Sequence, residues 1–358
     1  MIPSPFAPLD FARGPAMKNR FMLAPMTNCQ SHPDGRLSNE EFNWLVMRAR
    51  GGFGLTMTCA AMVQPVGRGF PGQLGAFSDE HLDGLAKLAN AIRTEGSRSS
   101  VQLHHAGSRA DKTLVPDRVS ASDDAEWGAR GLTLGEVEQL RDDFIDAAVR
   151  VERAGFDGVE LHGAHGYVLA QFLSPEMNRR DDRYGGSLEN RARLIQEIIA
   201  GIRARCRPNF QLGLRLSPER FGMRMAEIIE LSQDLFNADT LDYLDLSLWD
   251  AEKEPEEDAF KGKSLLACFA GLDRRNTRLG CAGKITTGAA VDRALAEGAD
   301  FVLVGRAAIL HHDFPKHVES DRGFSAQPLP VTPDYLHTEG VSPSFVDYMK
   351  TFKGFVEA

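Results

Sequence analysis

The feature that most limits what this chain can become is a recurrence. Short runs of strand character return eight times, at 21–24, 54–58, 100–103, 158–161, 211–216, 243–247, 278–282 and 301–304. Helical periodicity fills most of the intervals, at 39–50, 80–95, 134–154, 189–205, 226–237 and 289–297. Strands that alternate with helices pair in parallel, because each helix carries the chain back to the starting end of the next strand. Eight such units close into a (β/α)8 barrel, a fold of about 250 residues plus insertions, and the 358 residues leave room for long loops. The competing architecture, an open doubly wound sheet, wants Gly-x-Gly-x-x-Gly after its first strand; here Pro25-Met26-Thr27-Asn28 follows. The expectation is one TIM-barrel domain over 1–358, with the barrel core at about 15–315.

Three insertions interrupt the repeat, at 106–131, 174–187 and 249–263. Loops of that length inside a barrel are usually functional or mobile, and the acidic third one reads as a solvated loop or lid. Beyond about residue 324 the prolines Pro328, Pro330, Pro333 and Pro343 predict an extended tail around the barrel, to residue 358. The net charge of −9 comes with scattered basic residues, which argues against a nucleic-acid partner. Five cysteines stand far apart with no Cys-x-x-Cys, so neither a zinc site nor an iron–sulfur cluster is signalled. That usage fits a reducing cytosol. There is no secretory signal pattern and no apolar run near the roughly 20 residues of a membrane span, so the expectation is a cytoplasmic protein with no membrane partner.

Barrel enzymes place their chemistry at the carboxyl ends of the strands, and there the sequence is specific. The fourth strand runs into His162-Gly163-Ala164-His165-Gly166-Tyr167. Each histidine taken alone reads first as a buried structural residue, and the pair lacks the further ligands of a zinc site. Together with Tyr167 they offer two imidazole donors that can hold a developing oxyanion and a phenol that can protonate a neighbouring carbon. Arg215 falls inside the apolar fifth strand. A buried guanidinium is costly unless it meets an anion, and a carboxylate on a neighbouring strand would serve as well as a ligand. Gly283 and Gly305-Arg306 follow strands seven and eight, where barrels commonly bind a phosphate. Glycine there lets backbone N–H groups approach the anion, a helix start adds partial positive charge, and Arg306 adds a forked donor.

These residues resemble a family. Lys18-Asn19-Arg20-Phe21-Met22-Leu23-Ala24-Pro25-Met26-Thr27 is similar to the opening strand of the old yellow enzymes, FMN-dependent NAD(P)H oxidoreductases that act as ene-reductases. His162 to Tyr167 resembles that family's paired donors and acid, and Leu173-Ser174-Pro175, Asn178-Arg179-Arg180 and Asp182-Arg183-Tyr184-Gly185-Gly186-Ser187-Leu188-Glu189-Asn190-Arg191 resemble its most recognisable loop. The resemblance spans about 15–315. It implies non-covalent FMN across the strand ends, reduced by NADPH or NADH, with hydride passing from flavin N5 to the β-carbon of an α,β-unsaturated carbonyl. It also implies roles. Pro25, Thr27, Ala60 and Gln102 line the flavin ring, Arg215 sits near its N1 side, and Gly283, Gly305 and Arg306 hold the phosphate. His162 and His165 bind the substrate carbonyl and Tyr167 protonates the α-carbon; no metal is implied. Thr27 stands where one bacterial branch often has a redox-tuning cysteine, and Cys29 where that branch has tyrosine.

Two other readings compete. A dihydrouridine-synthase-like flavoenzyme acting on tRNA also opens with Ala-Pro-Met, but the charge and the His-x-x-His-x-Tyr segment argue against it. A non-catalytic flavin-binding redox sensor would have no need of the intact tyrosine and both histidines. The expected substrate is a small electron-poor alkene, with a homo-oligomer left open. Phe70, Trp249 and Phe269 are candidate pocket walls, with ordinary packing an equal reading for each.

Overall fold

In the computed structural model, which describes residues 2–357, every one of the eight strand-like runs is a strand, and all eight close in parallel into one barrel. The strands are β1 (Phe21–Leu23), β2 (Leu55–Met62), β3 (Arg98–His104), β4 (Val119–Ser120), β5 (Arg130–Gly131), β6 (Gly158–Gly163), β7 (Gln211–Leu216), β8 (Tyr243–Ser247), β9 (Arg278–Ala282) and β10 (Phe301–Val304). The barrel order is β1-β10-β9-β8-β7-β6-β3-β2, while β4 and β5 form a separate two-stranded ribbon inside the 106–131 insertion. The six expected helices are α1 (Asn39–Arg50), α2 (Leu82–Thr94), α3 (Leu134–Arg153), α5 (Leu188–Arg205), α6 (Met225–Ala238) and α8 (Gly288–Ala296). Their starts are marked by side chains that accept from otherwise unpaired backbone N–H groups: Ser38 for α1, Ser187 for α5, Thr287 for α8, and for α3 a capping box of Thr133 and Glu136.

Strand alternation sorts the side chains into two cores. Val101, Leu103, Val159, Leu161, Leu212, Leu214, Leu244, Leu246, Val302 and Val304 face outward and pack against the helices in the large cluster. Met22, Leu55, Met57, Tyr243, Phe301 and Leu303 fill the barrel, closed at the amino end by Leu9 and Met17, which pair antiparallel. Two glycines make space for the aromatic fill. A Cβ on Gly213 would lie 2.1 Å from the Tyr243 ring, and one on Gly280 would lie 2.3 Å from the Phe301 ring. In β2 the pairing with β3 shifts between Met57 and Ala60. This bulge advances β2 by one extra residue and brings Ala60, rather than Cys59, onto the inward face beside Gln102.

Six further helices escape periodicity because they are short: α4 (Val168–Leu173), α7 (Leu265–Ala270), α9 (Arg306–Leu310), α10 (Phe314–Ser320), α11 (Pro333–Thr338) and α12 (Pro343–Lys350). The last two correct the expected extended tail. Pro333 and Pro343 are helix starters there, each behind a capping residue, Thr332 and Ser342, because a first-turn proline gives up an N–H that has no partner anyway. The tail packs back on the barrel through Leu336, Phe345, Val346 and Met349 in the main core, with the Phe345 ring edge-on to Trp44 of α1 at 5.5 Å. The acidic 249–263 segment is tied to the loop after β7, where Lys253 pairs with Glu219, and Arg220 with Glu256 at 3.4 Å. No helix among the described residues is long and apolar enough to cross a membrane. Gly213→Ala would drive a methyl into the Tyr243 ring; urea unfolding should show a loss of about 1–3 kcal/mol.

Candidate active site

Above the apolar fill the barrel interior turns polar. Gln102 on β3 donates from Nε2 to Glu160 Oε1 on β6 at 2.7 Å. Arg215 on β7 lies beside Asp245 on β8, Nε to Oδ2 3.0 Å, in register with it across the sheet. None of the four is more than 5% exposed, and of the two anions the sequence left open for Arg215 the carboxylate on a neighbouring strand is present. Burial raises both carboxyl groups; Asp245's charge raises Glu160 further, and Arg215 opposes the rise in each.

One inward position nearer the carboxyl end, β3 contributes His104 and β6 contributes His162. The chain then turns through His165 (φ 60°) and Gly166 (φ 72°) before Tyr167 starts α4. Two successive residues in the left-handed region fold the segment back over the barrel mouth, and glycine takes the second at little cost. The turn is held by the His165 N–H donating to Ser217 Oγ at 3.1 Å. Ring centres lie 5.0 Å apart for His162–His165, 4.9 Å for His162–Tyr167 and 4.4 Å for His104–Tyr167. The segment thus gathers into one cluster what the sequence only set in a row.

A backbone hydrogen bond assigns the proton of His162. The Ala164 N–H donates to His162 Nδ1 at 3.3 Å, which leaves the proton on Nε2. Ser247 Oγ lies 3.4 Å from Arg215 Nη2 and 2.6 Å from His165 Nε2. A guanidinium only donates, so the serine oxygen accepts from Arg215, and the same hydroxyl bonds His165 Nε2. Desolvation, then the neighbouring His165, His104 and Arg215, push His162 well below the usual histidine range. Burial first, and Arg215 next, lower His165 to about 3. Both rings are neutral donors at pH 7. Burial raises the Tyr167 phenol while Arg109 opposes the rise. No group of three or more His, Cys, Asp or Glu among the described residues could hold a metal.

Two cavities meet at Arg306 and Leu329. One, of about 400 Å³, is lined by Met26, Thr27 and Tyr348; the other, of about 330 Å³, reaches Lys284 and Thr286. A Cβ on Gly305 would come no closer than 3.5 Å to any atom, so packing does not demand glycine there and the backbone is open to a ligand. Gly283 is different: a Cβ would lie 2.7 Å from the Ala251 nitrogen, a packing reason for its glycine. A phosphate at Arg306 with a flat ring reaching past Thr27 fits these spaces and donors.

Comparison with known proteins decides the family. The model of the NADH:flavin oxidoreductase / NADH oxidase family matches residues 4–324. The chain belongs to this family, the old yellow enzymes. It is 35% identical over 335 residues to a probable NADH-dependent flavin oxidoreductase of Bacillus subtilis (strain 168), covering 88% of each chain. An NADPH dehydrogenase of Bacillus pumilus (strain SAFR-032) is 32% identical over 312 residues, 85% of this chain and 91% of that one. Among solved structures, morphinone reductase in complex with tetrahydroNAD superposes with a TM-score of 0.78 at 27% identity, covering 93% of this chain and 94% of that chain. This old yellow enzyme is therefore an FMN-dependent oxidoreductase reduced by NAD(P)H.

The strand ends of this old yellow enzyme carry the residues singled out from sequence: Pro25 and Thr27 after β1, Ala60 in β2, Gln102 in β3, His162, His165 and Tyr167 at and after β6, Arg215 in β7, Gly283 after β9, and Gly305-Arg306 after β10. His104 and Ser247 were missed. Period-two alternation from Gln102 and from Asp245 would have found both. Tyr348 comes from the tail, and no local signal marks it. Of the candidate walls, Trp249 stands 6.5 Å from His165; Phe269 is fully buried in the helix-side core, and Phe70 packs against that core. His105, beside His104, is buried with its pKa lowered to about 4 by desolvation. Its folded value lies below the unfolded one, so the unfolded chain takes up the proton first, and stability is lost as pH falls from about 6.5 toward 4. Urea midpoints at about pH 7.5 and about pH 5 should show His105→Asn losing about 2 kcal/mol less than the parent over that range.

Proposed function

We propose that the protein is an ene-reductase acting on α,β-unsaturated carbonyl compounds, with His162 and His165 holding the carbonyl oxygen and Tyr167 giving a proton to the α-carbon. The observation that carries this reading is the pair of neutral imidazoles 5.0 Å apart, next to a phenol. Two preorganised donors aimed at one oxygen stabilise the negative charge that grows there. Because both rings are neutral, they hold that charge without becoming competing acids. Tyr167 keeps its proton at neutral pH, since burial raises its pKa, and can pass it to carbon as the charge collapses.

When bound, FMN would supply the hydride chemistry, from NAD(P)H to the β-carbon. In this reading Arg306, with the backbone at Gly305 and Gly283, holds its phosphate. Arg306 makes no ion pair or side-chain hydrogen bond with the described residues and lies where the two cavities meet. Pro25, Thr27, Ala60 and Gln102 line the ring, and Arg215 offsets negative charge on it. Cys29, the cysteine that follows β1, has its thiol pushed up to about 11 by burial and by Glu41. It stays protonated and is a poor nucleophile, which fits a non-covalent flavin. A diffusible nicotinamide as reductant goes with a cytoplasmic location.

Stopped-flow kinetics separate the two half-reactions. Tyr167→Phe should slow reoxidation by cyclohexenone about 10²- to 10⁴-fold while flavin reduction by NADPH or NADH stays near the parent rate; equal loss in both would contradict the proton-donor role. Arg306→Ala should weaken flavin retention about 10- to 100-fold, the worth of a charge-assisted contact, read from the fluorescence of released flavin.

A further inference from the structure

Beside Tyr167 stands a positive charge without a counter-ion. Arg109 ends the single turn Gly107–Arg109 that follows β3. Its guanidinium carbon is 5.2 Å from the centre of the Trp127 ring, 5.6 Å from Phe221 and 5.8 Å from Tyr167. Phe221 lies in turn 6.3 Å from His165. The cation therefore packs on the ring of the proton donor itself and stands one ring, Phe221, away from the carbonyl clamp. Among the described residues its side chain makes no ion pair and no hydrogen bond; the three ring faces are its contacts.

A cavity of about 320 Å³ opens at this point, and its rim also carries Arg179, Asp124, Glu126 and Glu176. None of the three carboxylates engages Arg109. Asp124 accepts the backbone N–H of Trp127 at 3.2 Å, and Arg179 donates to the carbonyls of Glu176 and Asp123. Aromatic faces hold a guanidinium in place by its flat side and leave the N–H edge free. That edge is a fork matched to a planar two-oxygen anion. Because the rings already restrict the side chain, little rotamer freedom remains to be lost on binding. The rim carboxylates repel a polyanion such as the pyrophosphate of a nicotinamide cofactor more than a single carboxylate seated directly on the guanidinium.

We propose that Arg109 is a specificity residue that grips a carboxylate of the substrate, so that the favoured substrates are α,β-unsaturated carbonyl compounds carrying a carboxylate remote from the oxygen held by the histidines. The proposal rests on the ene-reductase reading. It explains why a cation is set next to the phenol without being paired: the substrate brings the anion.

The test uses FMN-loaded protein with β-acetylacrylate and its methyl ester. The parent should prefer the acid. In Arg109→Gln the acid-to-ester ratio of kcat/KM should fall about 10- to 100-fold, mainly through KM for the acid, the worth of a charge-assisted forked contact. Arg109→Lys should fall between, keeping the charge but losing the fork. Binding without turnover gives a second readout: para-hydroxybenzoate and its methyl ester, titrated by the change in flavin absorption, should show the same fall in acid preference. Unchanged ratios in both measurements overturn the proposal. So does a loss confined to flavin reduction by NADPH or NADH, which would give Arg109 to a phosphate of the cofactor. If neither acrylate is reduced while the hydroxybenzoate preference still collapses in Arg109→Gln, the ene-reductase reading fails and the carboxylate anchor stands.

Discussion

The pairing of Arg215 with Asp245 inside the barrel is the constraint on which the upper half of the molecule depends. Both are buried, in register on adjacent strands. A charge so placed must keep its partner: removing one side of a buried pair costs about 3–5 kcal/mol. With its Nε beside Asp245, the guanidinium reaches Ser247 from below. That contact makes Ser247 Oγ the acceptor of a guanidinium N–H and sets it beside His165 Nε2. An ion pair in the middle of the barrel thus positions the serine that holds the His165 ring. The same layer divides an apolar plug of methionines, leucines and aromatics from a mouth of histidines.

The mouth itself is built by exclusion of water. His104, His162 and His165 are each packed closely enough that the charged form is disfavoured. Their closeness adds to this, since one protonated ring would repel the next. Neutral imidazoles result, as the proposed carbonyl clamp requires. Tyr167 is tuned from two sides: burial raises its phenol, and the unpaired Arg109 opposes that rise. The same cation therefore sits where it can both hold an anion and influence the acid.

Much of this was legible in the chain. The alternation of apolar runs carried all eight barrel strands, because each strand is outward-apolar by itself and its period does not depend on the partner strand. The longer helices were legible for the same reason, and α1 falls at 39–50 as expected. The short helices α7, α9, α11 and α12 were not, since five to eight residues hold too few turns for periodicity to register. The prolines of the tail were misleading because the same residue that breaks a helix interior also starts one; which applies depends on whether a capping side chain precedes it and a core surface awaits it.

The sequence by itself determined the barrel, the family and the strand ends that carry His162, His165, Tyr167, Arg215 and Arg306, because those depend on residue type and on spacing along one strand. Only the tertiary structure decided what faces what. The β2 bulge turned Ala60 inward by one added residue. The closing of the barrel made Arg215 and Asp245 neighbours, linked Arg215 through Ser247 to His165, and left Arg109 ringed by Trp127, Tyr167 and Phe221 from three separate segments with no anion of its own. These are contacts between residues far apart in the chain, and no local pattern encodes them; they exist only once burial has fixed the register and taken the water away.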